Sequence, residues 1–131
     1  MLALQRATHA TLHALTSELV SLHFTGSEIN TIANLTGGPR TVTELAAATG
    51  SRPSTLTSVL DRLEGRGQIT RGSRRGDRRA VVVELTATGR RSGLTIRQAL
   101  DALERRALGA MPAAQKAALR AGLQALTEVS A

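Results

Sequence analysis

Residues 53–79 pair a short amphipathic helix with an arginine-rich hairpin, and this pairing constrains the fold more than any other feature. The helix is predicted to begin at Pro53, a residue suited to a first helical turn, and to end at Gly65. Its inward positions recur at helical spacing and are Leu56, Val59, Leu60 and Leu63. Residues 62–79 hold seven arginines against two acidic residues, a local net charge of +5. A slim helix beside a cationic ribbon suits the major groove and backbone of DNA.

Two shorter helices are predicted before this segment. Thr25 with Glu28, and Thr41 with Glu44, have the Thr-x-x-Glu form of a capping box. The second box opens a helix over residues 42–49. Together with the helix that starts at Pro53, these elements form a helix-turn-helix followed by a hairpin.

The hairpin is predicted from two β-rich runs, Ile69 to Gly72 and Ala80 to Leu85, with the turn at residues 74–77. A leucine stripe at residues 12, 15, 19 and 22 predicts a first helix. Thr86 caps a long helix whose apolar positions include Leu94, and Pro112 opens the last helix.

The predicted fold class is therefore mainly α with a small β-hairpin wing: a winged helix-turn-helix with flanking dimerisation helices. We expect one domain over residues 1–131, with a DNA-binding lobe at 25–85 and helical dimerisation regions at 1–24 and 86–131. The flanking helices leave a broad leucine and alanine surface that a second copy would cover. The alternative is that these helices pack on the central block.

Composition narrows the class of function. The net charge is +7, which favours a polyanionic partner, although a basic surface that only aids solubility is the alternative. There are no cysteines, so disulfides and thiolate metal sites are excluded. No apolar run is long enough for a membrane span and no secretory signal is visible, so a soluble cytoplasmic protein is expected. No catalytic motif appears, so we predict that the chain is not an enzyme and needs no cofactor.

Three segments carry a resemblance to the MarR family of bacterial transcriptional regulators. They are Gly76-Asp-Arg-Arg-Ala-Val-Val-Val-Glu-Leu-Thr-Ala-Thr-Gly89, Val42-Thr-Glu-Leu-Ala46 and Leu63-Glu-Gly-Arg-Gly-Gln-Ile-Thr-Arg71. The resemblance implies a homodimer that binds a pseudo-palindromic operator in double-stranded DNA, more often as a repressor. It also implies that Arg79 enters the minor groove and that Asp77 holds the wing tip by pairing with a nearby arginine. Gln68 departs from the family, which often has an apolar residue there.

The predicted DNA contacts fall into two groups. Those on the recognition helix are short hydroxyl residues and two flanking cations: Arg52, Ser54, Thr55, Thr57, Ser58 and Arg62. We expect one of the two cations to contact guanine. Those on the wing are Arg74, Arg75, Asp77, Arg78 and Arg79, since a narrow minor groove attracts arginine. The alternatives are an ordinary polar helix face and a solvated charge cluster.

Two further hypotheses concern a metal ion and a small-molecule effector. His9 and His13 are four residues apart, but two imidazoles make a weak zinc site, so no metal is predicted. The resemblance implies an effector pocket lined by His13, Leu15, Leu19, His23, Phe24, Arg40 and Arg97; the alternative is that these residues fill the core. A second class of function is a general nucleic-acid binder or protein-interaction module without operator specificity.

Overall fold

The computed structural model describes residues 1–74 and 76–130 of the chain. This part of the chain contains six α-helices, one 3-10 turn at Val20–Leu22 and three β-strands. The elements are α1 (Leu2–Glu18), α2 (Gly26–Leu35), β1 (Arg40–Thr41), α3 (Val42–Thr49), α4 (Pro53–Gly65), β2 (Ile69–Arg74), β3 (Asp77–Leu85), α5 (Ala87–Leu108) and α6 (Ala113–Ser130). The predicted fold class, mainly helical with a small β wing, is confirmed.

The three strands form one antiparallel sheet in the order β1-β3-β2. Ile69 lies opposite Leu85, while Val83 lies between Arg71 of β2 and Arg40 of β1. Strand β1 was not predicted, because two residues are too short to carry an alternating pattern. The hairpin strands are longer than predicted: β2 continues to Arg74 and β3 starts at Asp77, so both run into the predicted turn.

All three predicted helix caps are present. The Glu28 amide donates to Thr25 Oγ1 at 3.2 Å, and the Thr25 amide donates to Glu28 Oε2 at 2.9 Å. The box at Thr41 closes in the same way with Glu44. Thr86 Oγ1 accepts the Gly89 amide at 3.0 Å and starts α5. Each cap satisfies amide groups that the first helical turn leaves without a partner.

The core is aliphatic and is centred on the helix-turn-helix. The inward face predicted for α4 is confirmed, since all four residues are at most 2% exposed. Two large apolar residues of the flanking helices lie at the surface of this single copy. Leu12 of α1 is 43% exposed and Leu94 of α5 is 60% exposed. The buried face of α5 is built instead from Gly89, Ser92, Gly93 and Ile96.

Small residues let α5 approach the base of the wing closely. A Cβ added at Gly89 would lie only 1.9 Å from the Gln68 carbonyl oxygen, so a larger residue does not fit there. The Gln68 side chain is buried and its Oε1 accepts a hydrogen bond from Ser92 Oγ at 2.8 Å. This bond explains how a polar residue occupies a position where an apolar one was expected.

The chain divides into two compact units, residues 1–99 and 100–131. The first contains α1 to β3 and most of α5, and the second contains the end of α5 and all of α6. On α6, Leu119, Leu123 and Leu126 are each at least 40% exposed. Within residues 1–74 and 76–130, no helix is both long enough and apolar enough to cross a membrane.

Candidate nucleic-acid interface

The outer face of α4 carries short hydroxyl side chains. Ser54, Thr55, Thr57 and Ser58 are all exposed, on the side opposite the buried leucines. The residue before the helix, Arg52, makes no side-chain cap. Pro53 has no N–H and the Leu56 amide donates to the Arg52 carbonyl, so the amides of Ser54 and Thr55 are the groups that could bind a phosphate at the positive end of the helix dipole.

Two of these hydroxyls already use their proton. Thr57 Oγ1 donates to the Pro53 carbonyl at 2.9 Å, and Ser58 Oγ donates to the Ser54 carbonyl at 3.3 Å. In this rotamer each hydroxyl offers only acceptor lone pairs to a ligand. Thr57 and Ser58 are thus suited to amino groups on base edges, whereas phosphate contacts require donors such as those at the start of α4.

Arg62 is held by a buried carboxylate from α2. Its Nε donates to Glu28 Oε1 at 2.9 Å, and the Glu28 side chain is only 4% exposed while that of Arg62 is 50% exposed. Glu28 also closes the capping box of α2. The guanidinium of Arg62 is therefore fixed on one edge and open to solvent on the other, so a base contact would have to use its outer edge.

The environment of Glu28 favours its charged form. Burial by itself raises the pKa of this carboxyl. The Thr25 amide, the Arg62 hydrogen bond and the charges of Arg62 and Arg66 together lower the pKa by more than burial raises it, so it lies below the usual glutamate value. An ionised Glu28 pairs with Arg62 of α4 and lies 3.7 Å from Arg66, the residue that follows the helix. The Arg62–Glu28 ion pair thus attaches α4 to the start of α2.

Arg66 contacts the same junction. Its NH1 and NH2 groups donate to the carbonyl oxygens of His23 and Leu22 at 2.8 and 2.9 Å. The guanidinium carbon lies 4.1 Å from the centre of the Phe24 ring, a cation–π contact. Arg66 was counted in the cationic cluster of the hairpin, but its contacts are with the segment that joins α1 to α2.

Arg71 joins the first wing strand to the recognition helix. Its NH2 donates to Asp61 Oδ1 at 2.8 Å, and its Nε and NH2 both contact Glu64 Oε2. These bonds raise the pKa of Arg71, first through Glu64 and then through Asp61. No partner of Arg71 was predicted from the sequence. The available signal was the pair of acidic residues Asp61 and Glu64, three positions apart on α4.

The tip of the wing is only partly described. Arg79 is exposed on β3. Arg75 lies outside the described residues, as do the side chains of Arg74, Asp77 and Arg78. The predicted roles of these residues, including the pairing of Asp77, therefore remain predictions.

The residues of the predicted effector pocket differ in their exposure. Leu15, Leu19 and Phe24 are buried core residues, whereas His13 and His23 are exposed. The two arginines of that set, Arg40 and Arg97, each donate a hydrogen bond to another residue of the first compact unit.

Arg40 Nε donates to the Asn34 carbonyl at 2.8 Å, and Arg97 NH1 donates to Thr36 Oγ1 at 3.3 Å. Arg97 also borders a groove between the end of α2 and α5. His9 and His13 are both exposed on α1, and no group of three potential metal ligands is found among the described residues.

The chain is similar in sequence and in structure to proteins of one family. The MarR family model matches residues 36–81, which run from the residue after α2 through most of the wing. The structure of NadR in complex with 4-hydroxyphenylacetate superposes with a TM-score of 0.90 at 23% identity, covering 98% of this chain and 92% of that one. No curated protein sequence matches the chain.

Two further matches are structures with DNA. The transcriptional repressor CouR bound to a 23-mer duplex has a TM-score of 0.78 at 25% identity, covering 95% of this chain and 89% of that one. The MepR–DNA complex of S. aureus has a TM-score of 0.80 at 18% identity, with 97% and 94% covered. The resemblance to the MarR family is therefore confirmed. Proteins of that family are transcriptional regulators and not enzymes, as was predicted for this chain.

Proposed function

We propose that this chain is a sequence-specific, double-stranded DNA-binding transcriptional regulator that acts as a homodimeric repressor in the bacterial cytoplasm. The observation that carries the proposal is the outer face of α4. Its first two turns present short hydroxyls beside an N-terminus without a side-chain cap, and an arginine-rich hairpin follows the helix. A helix with such a face can approach the floor of the major groove, while the hairpin follows the adjacent backbone.

The electrostatics support the same proposal. The net charge is +7, and three acidic groups near the recognition helix, Glu28, Asp61 and Glu64, are each paired with an arginine. Pairing keeps these carboxylates from repelling phosphates. In a dimer the two recognition helices would read half-sites about one turn of B-form DNA apart, which gives the operator its pseudo-palindromic form.

The first experiment measures selectivity. A duplex pool with random sequence is selected on the full-length protein, and the affinity for the enriched sequence is compared with that for a scrambled duplex by fluorescence anisotropy. We expect a paired, palindromic motif bound about a hundredfold more tightly than the scrambled duplex. Equal affinity for all duplexes would assign the chain to general nucleic-acid binders, and no binding would favour a protein-interaction module.

A second experiment tests the wing. Arg79→Ala should weaken binding to the selected duplex by about 1–3 kcal/mol, the cost of losing an arginine that contacts bases. Arg120→Ala on α6 removes one positive charge outside the predicted DNA interface and should change the affinity for the duplex little. Equal effects of the two substitutions would show that only net charge matters.

The homodimer and the repressor activity need separate measurements. Sedimentation of the protein with and without the selected duplex should give two copies per duplex. A reporter gene placed behind the selected sequence should be expressed less when the protein is present. A single copy on each duplex, or increased reporter expression, would contradict the respective part of the proposal.

A response to a small-molecule effector is a second part of the proposal. It is supported by NadR, a structural neighbour that was crystallised with 4-hydroxyphenylacetate. We expect a small aromatic acid at millimolar concentration to lower the anisotropy of the preformed protein–duplex complex. If the complex is unaffected by a panel of such acids, the effector part fails while the DNA-binding part stands.

A further inference from the structure

The recognition helix carries a row of exposed side chains that ends in an arginine. Ser54, Ser58 and Arg62 are four residues apart, so they lie on successive turns along one side of α4. Arg62 is the one cationic residue within the helix, whose sequence runs from Pro53 to Gly65. The row therefore combines two short side chains, which let the helix come close to a base pair, with one long donor.

A buried carboxylate fixes the guanidinium of Arg62 through one edge. Nε donates to Glu28 Oε1 at 2.9 Å, and the other oxygen of the same carboxylate accepts the Thr25 amide at 2.9 Å. Glu28 is itself held by its burial and by the capping box of α2. Arg62 is therefore oriented before any ligand arrives, which lowers the entropic cost of a contact that it makes.

The bond to Nε decides which donors of Arg62 remain. Among the described residues, no acceptor holds NH1 or NH2 of Arg62. These two nitrogens form the end of the guanidinium fork, which can donate to two neighbouring acceptors at once. In the major groove guanine presents such a pair, O6 and N7, whereas adenine presents an amino donor beside N7. The remaining edge of Arg62 thus matches guanine and not adenine.

The same carboxylate changes what the arginine contributes to DNA affinity. The pKa of Glu28 is lowered, so Glu28 is ionised at neutral pH and its pair with Arg62 has no net charge. Attraction to phosphates depends on net charge, while a base contact depends on the direction of the N–H groups. Arg62 should therefore add selectivity for a base pair and little general affinity for DNA.

We propose that Arg62 contacts one guanine in each half-site through NH1 and NH2, and that Glu28 is the positioning residue that holds Arg62 for this contact. The proposal rests on the DNA-binding function proposed above and adds the pair of residues that sets selectivity at one base pair. Arg52, the other cation expected to contact guanine, has no carboxylate partner among the described residues.

The test measures discrimination between base pairs with the full-length protein. The duplex selected from a random pool is compared with duplexes in which each base pair is replaced in turn, by fluorescence anisotropy at several salt concentrations. For the wild type, we expect one G·C pair in each half-site whose replacement by A·T weakens binding about tenfold. Arg62→Lys keeps the charge but has no planar fork, so this factor should fall below about twofold, while discrimination at the other positions and the salt slope stay unchanged.

Glu28→Gln tests the positioning role. Glutamine can still close the capping box but carries no charge, so the guanidinium of Arg62 is released. Discrimination at the same G·C pair should fall severalfold. The slope of log K against log salt should steepen by about 0.9 per lobe, because the released charge can reach a phosphate. Loss of a purely structural contact would not steepen this slope.

The matched control is Arg66→Gln, which removes a cation 3.7 Å from the same carboxylate. Arg66 contacts the segment before α2, so this variant should leave discrimination at the G·C pair unchanged. Thermal melts check that each variant is folded at the assay temperature. Arg62→Lys changes an exposed side chain, so it decides the guanine contact even where Glu28→Gln is unstable.

Three results would overturn the proposal. They are wild-type discrimination in Arg62→Lys, equal losses of discrimination in Glu28→Gln and Arg66→Gln, and a uniform loss of affinity in Glu28→Gln with an unchanged salt slope. A wild-type protein that binds all duplexes equally would instead contradict the DNA-binding function proposed above. A selective wild type with an unaltered Arg62→Lys variant would remove only the role of Arg62 and Glu28.

Discussion

The contact between Arg71 and the recognition helix leads to a sharp prediction about DNA affinity. Arg71 with Asp61 and Glu64 forms a trio with a net charge of −1 on the exposed end of α4. Arg71→Ala changes that charge to −2 and releases both carboxylates. One carboxylate about 7 Å from a phosphate in water costs about 0.6 kcal/mol. Because Arg71→Ala makes the trio more negative by one unit charge, it should cost at most about 0.6 kcal/mol per lobe before screening by salt, a loss of affinity of up to about threefold per lobe.

A set of four proteins distinguishes this charge effect from a direct contact of Arg71 with DNA. They are the wild type, Arg71→Ala, the double variant Asp61→Asn/Glu64→Gln, and the triple variant that combines all three changes. If Arg71 acts by neutralising the carboxylates, the triple variant should regain wild-type affinity or exceed it. The double variant should bind more tightly than the wild type, because its trio carries a positive charge.

The assay is fluorescence anisotropy with a duplex selected from a random pool, at several salt concentrations. The pairs are exposed to solvent, so the free energy of unfolding should fall by less than about 1 kcal/mol in Arg71→Ala, which thermal melts would verify. The reasoning is refuted if the triple variant binds as weakly as Arg71→Ala. A decrease of about 0.9 per lobe in the salt slope for Arg71→Ala would likewise show that Arg71 contacts phosphate directly.

The remaining predictions concern stability, measured by thermal or urea unfolding. Gly89→Ala should cost about 1–3 kcal/mol, because the new Cβ meets the Gln68 carbonyl, whereas Gly122→Ala, with open space around it, should gain about 0.5–1 kcal/mol; equal shifts would contradict the packing argument. Ser92→Ala should cost about 1–2 kcal/mol by leaving the buried Gln68 Oε1 without its donor, and adding Gln68→Leu should recover most of that loss; a further loss in the double variant would argue against it. The pKa of Glu28 is lowered in the folded protein, so the ionised carboxylate stabilises the fold above pH 4.5, and this stabilisation is lost as the pH falls through the folded pKa. Glu28→Gln should therefore be less stable than the wild type at neutral pH and should lose less stability on acidification. Stability curves against pH that run parallel for the two proteins would exclude this role.

Local sequence signals predicted those elements that depend on neighbours in the chain. The two capping boxes and the inward face of α4 involve residues three or four positions apart, so the sequence carries both partners of each interaction. The hairpin was predicted for a similar reason, although its strands proved longer than the β-rich runs. Strand β1 was missed because it exists only through its pairing with β3.

The roles of individual arginines could not be obtained from sequence in this way. Residues 62–79 were interpreted as one cationic cluster, yet Arg62, Arg66 and Arg71 each have partners within the protein. Glu28 lies 34 positions before Arg62, and no periodicity connects them. The same holds for Gln68 and Ser92, whose hydrogen bond depends on the packing of α5 against the base of β2.

The sequence by itself determined the order of the helices and where most of them start. It also showed an arginine-rich ribbon after a slender helix. These features could be predicted because hydrophobic periodicity and helix capping involve residues within one or two helical turns of each other. Only the tertiary structure decided which cations are held by carboxylates and which apolar residues remain at the surface. Those outcomes depend on distances between segments far apart in the chain, and an ion pair or a buried contact forms only where folding brings both partners within a few ångströms.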